Sequence, residues 1–482
     1  MTRVLREFIP VTFCLAIVSG CLAGCATNPV TGEANFVLVT EQQELALGRR
    51  ADQDVKKQYA LYDINRLQEY VSEVGQRLAR NSHRSGLEYR FTVLDSPEIN
   101  AFALPGGHIY ITRGILAYLN SEAELAAVLG HEIGHVTARH SVRQISAAQG
   151  ADILVNILGA VSPAMRSSGV QNITGLLGNV LLAGYGREHE LEADRLGAEY
   201  LARSGYDPQA MIRVIGVLKN QELHDAELAR KEGREARAYH GVFATHPDND
   251  ARLKETVGAA GKFKTGRRDD GREAYLARTA GIVFGDSAHE GFVRAGGFYH
   301  PGLGFGLRLP AGWRTQNLTD RLSATAPGND VRLELTADRR PKDEPAALLR
   351  RLTRGEANDI EINPVSGLPS AMALVPARLV AVAYLESRAF VFNAVAKSEP
   401  AFARELESMR ASIRSFHALT ADERAAIRPL VLRVTPAPEG ARFAKLAKDS
   451  PAGTDAEATL RLINAMYPEG EPGTGQPLKL IE

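Results

Sequence analysis

Cysteine is confined to the first 25 of 482 residues, as Cys14, Cys21 and Cys25. Beyond Cys25 the chain therefore excludes an internal disulfide, a thiolate nucleophile and a cysteine-ligated metal. Any metal must be held by His, Asp or Glu. Net charge is missing too: Lys+Arg and Asp+Glu both number 57. That balance argues against nucleic acid as a partner, which calls for a basic excess or stripe. Long hydrophobic runs are also lacking. Val11 to Val18 is too short to span a bilayer, and the apolar, glycine-rich stretch 151–186 is broken by Asp152, Arg166, Gln171, Asn172 and Asn179. The latter reads as a flexible segment over a cleft or near a lipid surface. What remains, 44% hydrophobic and 24% charged, is an ordinary globular composition with length for roughly three domains.

The N-terminus reads as an export signal over residues 1–24, with Arg3 and Arg6 ahead of the apolar stretch. It ends in Leu22-Ala23-Gly24-Cys25, which looks like a bacterial lipoprotein box with lipidation at Cys25. Val18-Ser19-Gly20-Cys21 is a weaker match. Ala26 stands where an inner-membrane retention Asp would sit, so the expectation is a lipid-anchored outer-membrane protein facing the periplasm.

Thr40-Glu41-Gln42-Gln43 can cap a helical stretch that runs to about Asn81 with a break near Asp63. Tyr89 to Leu94 reads as a strand. Asn100 to Arg113 reads as strand interrupted at Pro105-Gly106-Gly107. A second capping box, Ser121-x-x-Glu124, opens a long helix carrying Leu125, Val128, Leu129, Ile133 and Val136. Arg187 to Arg203 is helical again, and Asp207-Pro208 starts another helix.

His131-Glu132-Ile133-Gly134-His135 lies inside the second capped helix. Residues four apart share a helix face, so both imidazoles can meet one ion, with Glu132 placed to hold and deprotonate a water. The pattern His-x-x-Gly-x-x-His fails beyond His135, because Ala138 and Ser141 stand at its glycine and histidine positions. His140, five residues on, falls off the ligand face and reads as a structural or rim residue. The third ligand must come from another helix. Arg187 to Asp194 offers Glu188, Glu190 and Glu192, which spacing alone does not separate, and Glu190 and Asp194 share a face.

Five pieces in order resemble the M48 family of zinc metallopeptidases, in its exported bacterial lipoprotein form. They are Asn28-Pro29-Val30-Thr31-Gly32, Asn100 to Gly107, the His131 to His135 motif, Glu190-x-x-Ala193-Asp194, and Thr245-His246-Pro247 followed by Arg252. The resemblance covers about residues 26 to 257. It implies one Zn2+ per chain on His131, His135 and Glu190, with Glu132 as general base and Asp194 orienting a ligand. It also implies His246 and Arg252 at the cleft, near the metal or the developing oxyanion. Phe102, Ala103, Leu104, Gly106 and Gly107 would hold a substrate peptide along an extended edge.

The expected fold is α+β. A mostly helical zincin-type metallopeptidase domain (25–262) leads through a charged linker (263–294) to a small α+β domain (295–418), in which Trp313 reads as core. A last unit, 425–482, resembles a degenerate LysM module of strand–helix–helix–strand order, with Glu439-Gly440-Ala441 where a Gly-Asp-Thr turn would stand. The implied activity is zinc-dependent hydrolysis of unfolded or misassembled envelope proteins. The rivals are a gated, chaperone-like or cell-wall-binding scaffold with His246 blocking the metal, and a peptidoglycan peptide hydrolase that uses the LysM-like tail for peptidoglycan contact.

Overall fold

The computed structural model describes residues 25–27, 29–32, 34–148, 184–232, 269–294, 296–317, 321–357, 359–365, 367–453 and 455–482. The expected export signal and all but the last residues of the stretch 151–186 lie outside this set. Among the described residues no helix is long and apolar enough to cross a membrane.

The chain divides into two compact units, and the division is not serial. One comprises residues up to 57, 61–282 and 431–482; the other is 58–60 and 283–430. The second unit is thus an insertion in the chain of the first. Residues 431–482 group with the unit that carries the peptidase motif. The charged stretch 263–294, expected to be a linker, also contributes a packed helix to it.

The first unit opens with paired strands β1 (Cys25–Thr27) and β2 (Ala34–Phe36). Helix α1 (Glu41–Gln58) follows. Thr40 and Gln43 form the expected reciprocal cap: the Thr40 hydroxyl accepts the Gln43 N–H at 3.3 Å and Gln43 Oε1 accepts the Thr40 N–H at 2.8 Å. Helix α2 (Asn65–Arg80) buries Leu67, Tyr70, Val71, Val74 and Leu78 on one stripe. Strands β3 (Arg90–Leu94), β4 (Ala101–Leu104) and β5 (His108–Thr112) form a sheet ordered β3-β5-β4. Central β5 runs parallel to β3 and antiparallel to β4, which leaves β4 at the edge.

Helices α3 (Arg113–Tyr118) and α4 (Glu122–Thr137) come next. Every residue of α4 from Ala123 onward is buried, so it is the unit's central helix rather than an amphipathic one. It packs against α2, β4, α5 (Arg187–Arg203), α6 (Ala210–Glu232) and α7 (Arg272–Thr279). In α7, Tyr275 and Leu276 are fully buried and the Tyr275 hydroxyl donates to Leu116 O at 2.7 Å.

The returning segment has strand–helix–helix–strand order: β6 (Leu430–Pro436), α8 (Phe443–Leu446), α9 (Ala456–Ile463) and β7 (Pro477–Ile481), with the two strands antiparallel. Leu432 exchanges hydrogen bonds with Gly281 (2.7 Å) and Ile282 (2.9 Å). Lys479, only 1% exposed, donates its Nζ to Ala117 O at 2.7 Å and Leu119 O at 2.8 Å, closing the C-terminal end of α3.

Burial pushes the Lys479 ammonium well below the usual lysine value; Glu124 opposes that shift and Arg272 adds to it. Between the lowered folded value and the ordinary value of about 10.4 the unfolded chain binds more protons, so this residue makes stability rise with pH. Lys479→Met should therefore reduce the upward slope of melting temperature with pH on the side below the ordinary lysine value of about 10.4. An unchanged slope in the variant would refute this.

The inserted unit is sheet-rich. Its seven-stranded antiparallel sheet runs in the order 314–317, 322–325, 331–339, 388–396, 378–385, 370–375, 360–362. In the strand Arg378–Leu385, period-two alternation serves two cores. Val380, Val382 and Tyr384 pack under the helix Pro345–Leu352. Leu379, Ala381, Ala383 and Leu385 face the core that also holds Met409 and Ile413 of the helix Glu399–Arg414. Trp313 is 8% exposed in this second core, beside Phe390, Phe392 and Phe416.

Candidate metal centre

The N-terminus of α4 is a variant of the expected box. Ser121 Oγ accepts the Glu124 N–H at 3.2 Å, but the Glu124 carboxylate turns back to the Asn120 N–H at 2.7 Å rather than to Ser121. Two turns further on, His131 and His135 bring their Nε2 atoms to 3.0 Å. Glu190 of α5 completes the group: its oxygens lie 3.5 Å from His131 Nε2 and 3.5 Å from His135 Nε2. All three residues are buried.

Glycine makes this approach feasible. A Cβ at Gly134 would sit 2.9 Å from Ala193 O, and one at Gly197 would sit 3.0 Å from His131 N. Only hydrogen at these positions lets the α4 and α5 backbones come close enough for Glu190 to reach both imidazoles.

Distance and burial separate the three glutamates that spacing left open. Glu188 is exposed, Glu192 is half-buried and turned to His140, and Glu190 alone meets both histidines. Asp194, one turn beyond Glu190, accepts from His131 Nδ1 at 2.8 Å. Glu132 is 2% exposed. It adjoins, with His131, an apolar cavity of about 20 Å³ lined also by Ala101, Ile115, Val128, Met211 and Val214.

The donor set fits a tetrahedral divalent ion. Ligands held at about 2.0–2.1 Å stand about 3.3 Å apart around such an ion, and the three separations here are 3.0, 3.5 and 3.5 Å. Two imidazole nitrogens and a carboxylate suit zinc.

Beside the helix, β4 directs Ala101 and Ala103 into the buried interior, while half-buried Phe102 stacks on Tyr110 at 5.1 Å. Leu104 is buried as well. Gly106 (φ +78°) and Gly107 (φ +91°) form the β4–β5 turn, and a Cβ at Gly107 would lie 2.6 Å from Glu88 O. Each adopts a left-handed conformation in a turn packed on the protein itself. His246 and Arg252 lie outside the described residues.

Of the two readings left open for His140, structural or rim, burial fits the structural one: it is fully buried, with Nδ1 at 2.9 Å from His135 Nδ1 and Nε2 at 3.0 Å from Glu192. The reason is local. Arg139 adopts φ +57° just after α4 ends, so the helical count does not carry through and His140 turns back. No sequence signal marks that turn, since arginine is not a residue that favours it. Tyr185 stacks on His135 at 4.0 Å and bonds Ser141 Oγ at 2.6 Å, and His189 stacks on His140 at 4.3 Å.

The electrostatics follow from burial and pairing. Burial alone raises the Glu192 carboxyl, but hydrogen bonds and charge from His140 and Arg143 outweigh it and bring it down to about 2. Burial pushes His140 below the usual histidine value against the pull of Glu192. Burial, with His140 and Arg143 nearby, lowers His189 to about 4.

Comparison with known proteins agrees with this geometry. Residues 65–259 match the model of peptidase family M48. The chain is 29% identical over 295 residues to the beta-barrel assembly-enhancing protease of Escherichia coli K12, covering 58% of each. It is 30% identical over 242 residues to the Yersinia pestis protein of that name, covering 49% of this chain and 48% of that one. It is 30% identical over 230 residues to the mitochondrial metalloendopeptidase OMA1 of Schizosaccharomyces pombe, covering 47% of this chain and 64% of that one. The chain thus spans about half to three-fifths of the length of its bacterial relatives. The helices that carry His131, His135 and Glu190 fall within the stretch that matches the peptidase family M48 model.

Proposed function

We propose that the chain is a zinc-dependent endopeptidase of the bacterial cell envelope, acting on unfolded or misassembled envelope proteins. The observation that carries this reading is the buried set His131, His135 and Glu190 with Glu132 beside it. A bound zinc ion would supply a Lewis acid that polarises the peptide carbonyl and acidifies water. Glu132 takes the proton from the attacking water and passes it to the leaving amine. Asp194 holds His131 in the tautomer that leaves Nε2 free for the ion. His246 and Arg252 are assigned to the developing oxyanion on the family resemblance. The edge strand β4 aligns the substrate backbone, and the small cavity at Glu132 favours a small apolar side chain next to the scissile bond.

The substrate class rests on the name of the bacterial relatives, assembly-enhancing proteases. The envelope location rests on that name and on the export signal, with the lipid on Cys25 tethering the protein to the outer membrane. The LysM-like unit 425–482 is assigned a contact with peptidoglycan on its element order alone.

The test uses the form beginning at residue 26. It should carry about one zinc per chain and cleave unfolded casein, and a chelator should stop cleavage until zinc is restored. Folded protein that binds no zinc, or zinc-loaded protein that cleaves nothing, would refute the assignment.

A further inference from the structure

We propose that His140 and Glu192 form a hydrogen-bonded relay that fixes the ring orientation and tautomer of the metal ligand His135. The inference rests on the metallopeptidase reading above. A neutral imidazole has one donor and one acceptor nitrogen, so a ring that offers Nε2 to an ion carries its proton on Nδ1. For His131 that proton goes directly to Asp194, at 2.8 Å. For His135 it meets another imidazole: Nδ1 of His140, 2.9 Å away.

Two facing nitrogens at this distance hold one proton between them. Its owner is decided at the far side of His140. There Nε2 lies 3.0 Å from the Glu192 carboxylate, which only accepts. The His140 proton is therefore on Nε2, its Nδ1 accepts, and His135 is the donor. Arg143 Nη1 holds the same carboxylate oxygen at 2.9 Å. One carboxylate thus sets the tautomers of two histidines in series.

Helix geometry explains the extra imidazole. Glu190 and Asp194 are four apart on α5 and share the face turned to α4. Glu192 is two residues from each, about 200° around the helix. His140, brought back by the Arg139 turn, bridges the gap. Tyr185 stacked on His135 and His189 stacked on His140 brace the two rings, which meet edge-on at 73°.

The test measures zinc affinity of the full chain by chelator competition, together with histidine nitrogen NMR of the zinc-loaded protein. His140→Leu and Glu192→Ala should each weaken zinc binding about 10–100-fold. His140→Gln, whose amide oxygen can accept from His135, should recover most of the loss. The wild-type spectrum should show His140 protonated on Nε2 and bare on Nδ1, a readout that stands even where a variant does not fold. Zinc affinity in His140→Leu within about twofold of wild type, or a proton on His140 Nδ1, would overturn the relay and leave the peptidase reading intact. Wild-type protein that binds no zinc would overturn both.

Discussion

Glu132→Gln should cut hydrolysis of an unfolded protein by about 10²–10⁴-fold, the range that a positioned general base supplies, while zinc content stays at the wild-type level. The side chain is buried beside His131 but is not one of the three groups that converge. The amide has nearly the same shape as the carboxylate and fits the same cavity without adding charge. What it cannot do is take a proton from water. The expected signature is therefore a collapse in turnover with stability and metal unchanged. Retained turnover in the variant would move the proton transfer to another residue, and loss of zinc would make Glu132 part of the ligand set.

The second large effect concerns where the first unit ends. A chain stopping at residue 430 should fail to give a stable first unit. Removal of 431–482 strips the Lys479 donor from Ala117 O and Leu119 O, and Leu432 from Gly281 and Ile282. Each buried group left unpaired costs about 1–3 kcal/mol, against a total stability of about 5–15 kcal/mol. The loss of buried Leu460 and Ile463 adds to this. By contrast, replacing 283–430 with a turn of about four residues should leave the unit folded, because Ile282 and Leu432 are already hydrogen-bonded neighbours. Circular dichroism and thermal melts of the two shortened chains decide the matter. A cooperative melt near the wild-type temperature for the chain ending at 430 would refute it.

Much of the site was legible because its information is local. The capping residues Thr40 and Ser121, the apolar pattern of α4 and the four-residue spacing of the histidines act within a turn or two of helix. The choice of Glu190 over Glu188 and Glu192 was not local, since it depends on how α5 lies across Gly130 and Gly134. The contact of His140 with His135 was not legible because one left-handed residue, Arg139, resets the helical count. Helix α7 was hidden by its charged surroundings. In the run from Arg267 to Glu273 charge outweighs everything else, yet Tyr275 and Leu276 just beyond it anchor the segment in the core. The interrupted first unit left no mark in composition, because an insertion is defined by contacts between distant residues.

That interruption has a consequence for biosynthesis. Lys479 reaches its carbonyl partners only after all of 283–430 has been made. At elongation rates of about 5–20 residues per second, making that insertion alone takes roughly 7–30 s. Through that interval the strands and helices that complete the first unit do not yet exist, so the unit that holds the candidate metal centre cannot be finished until its own inserted sequence has been translated.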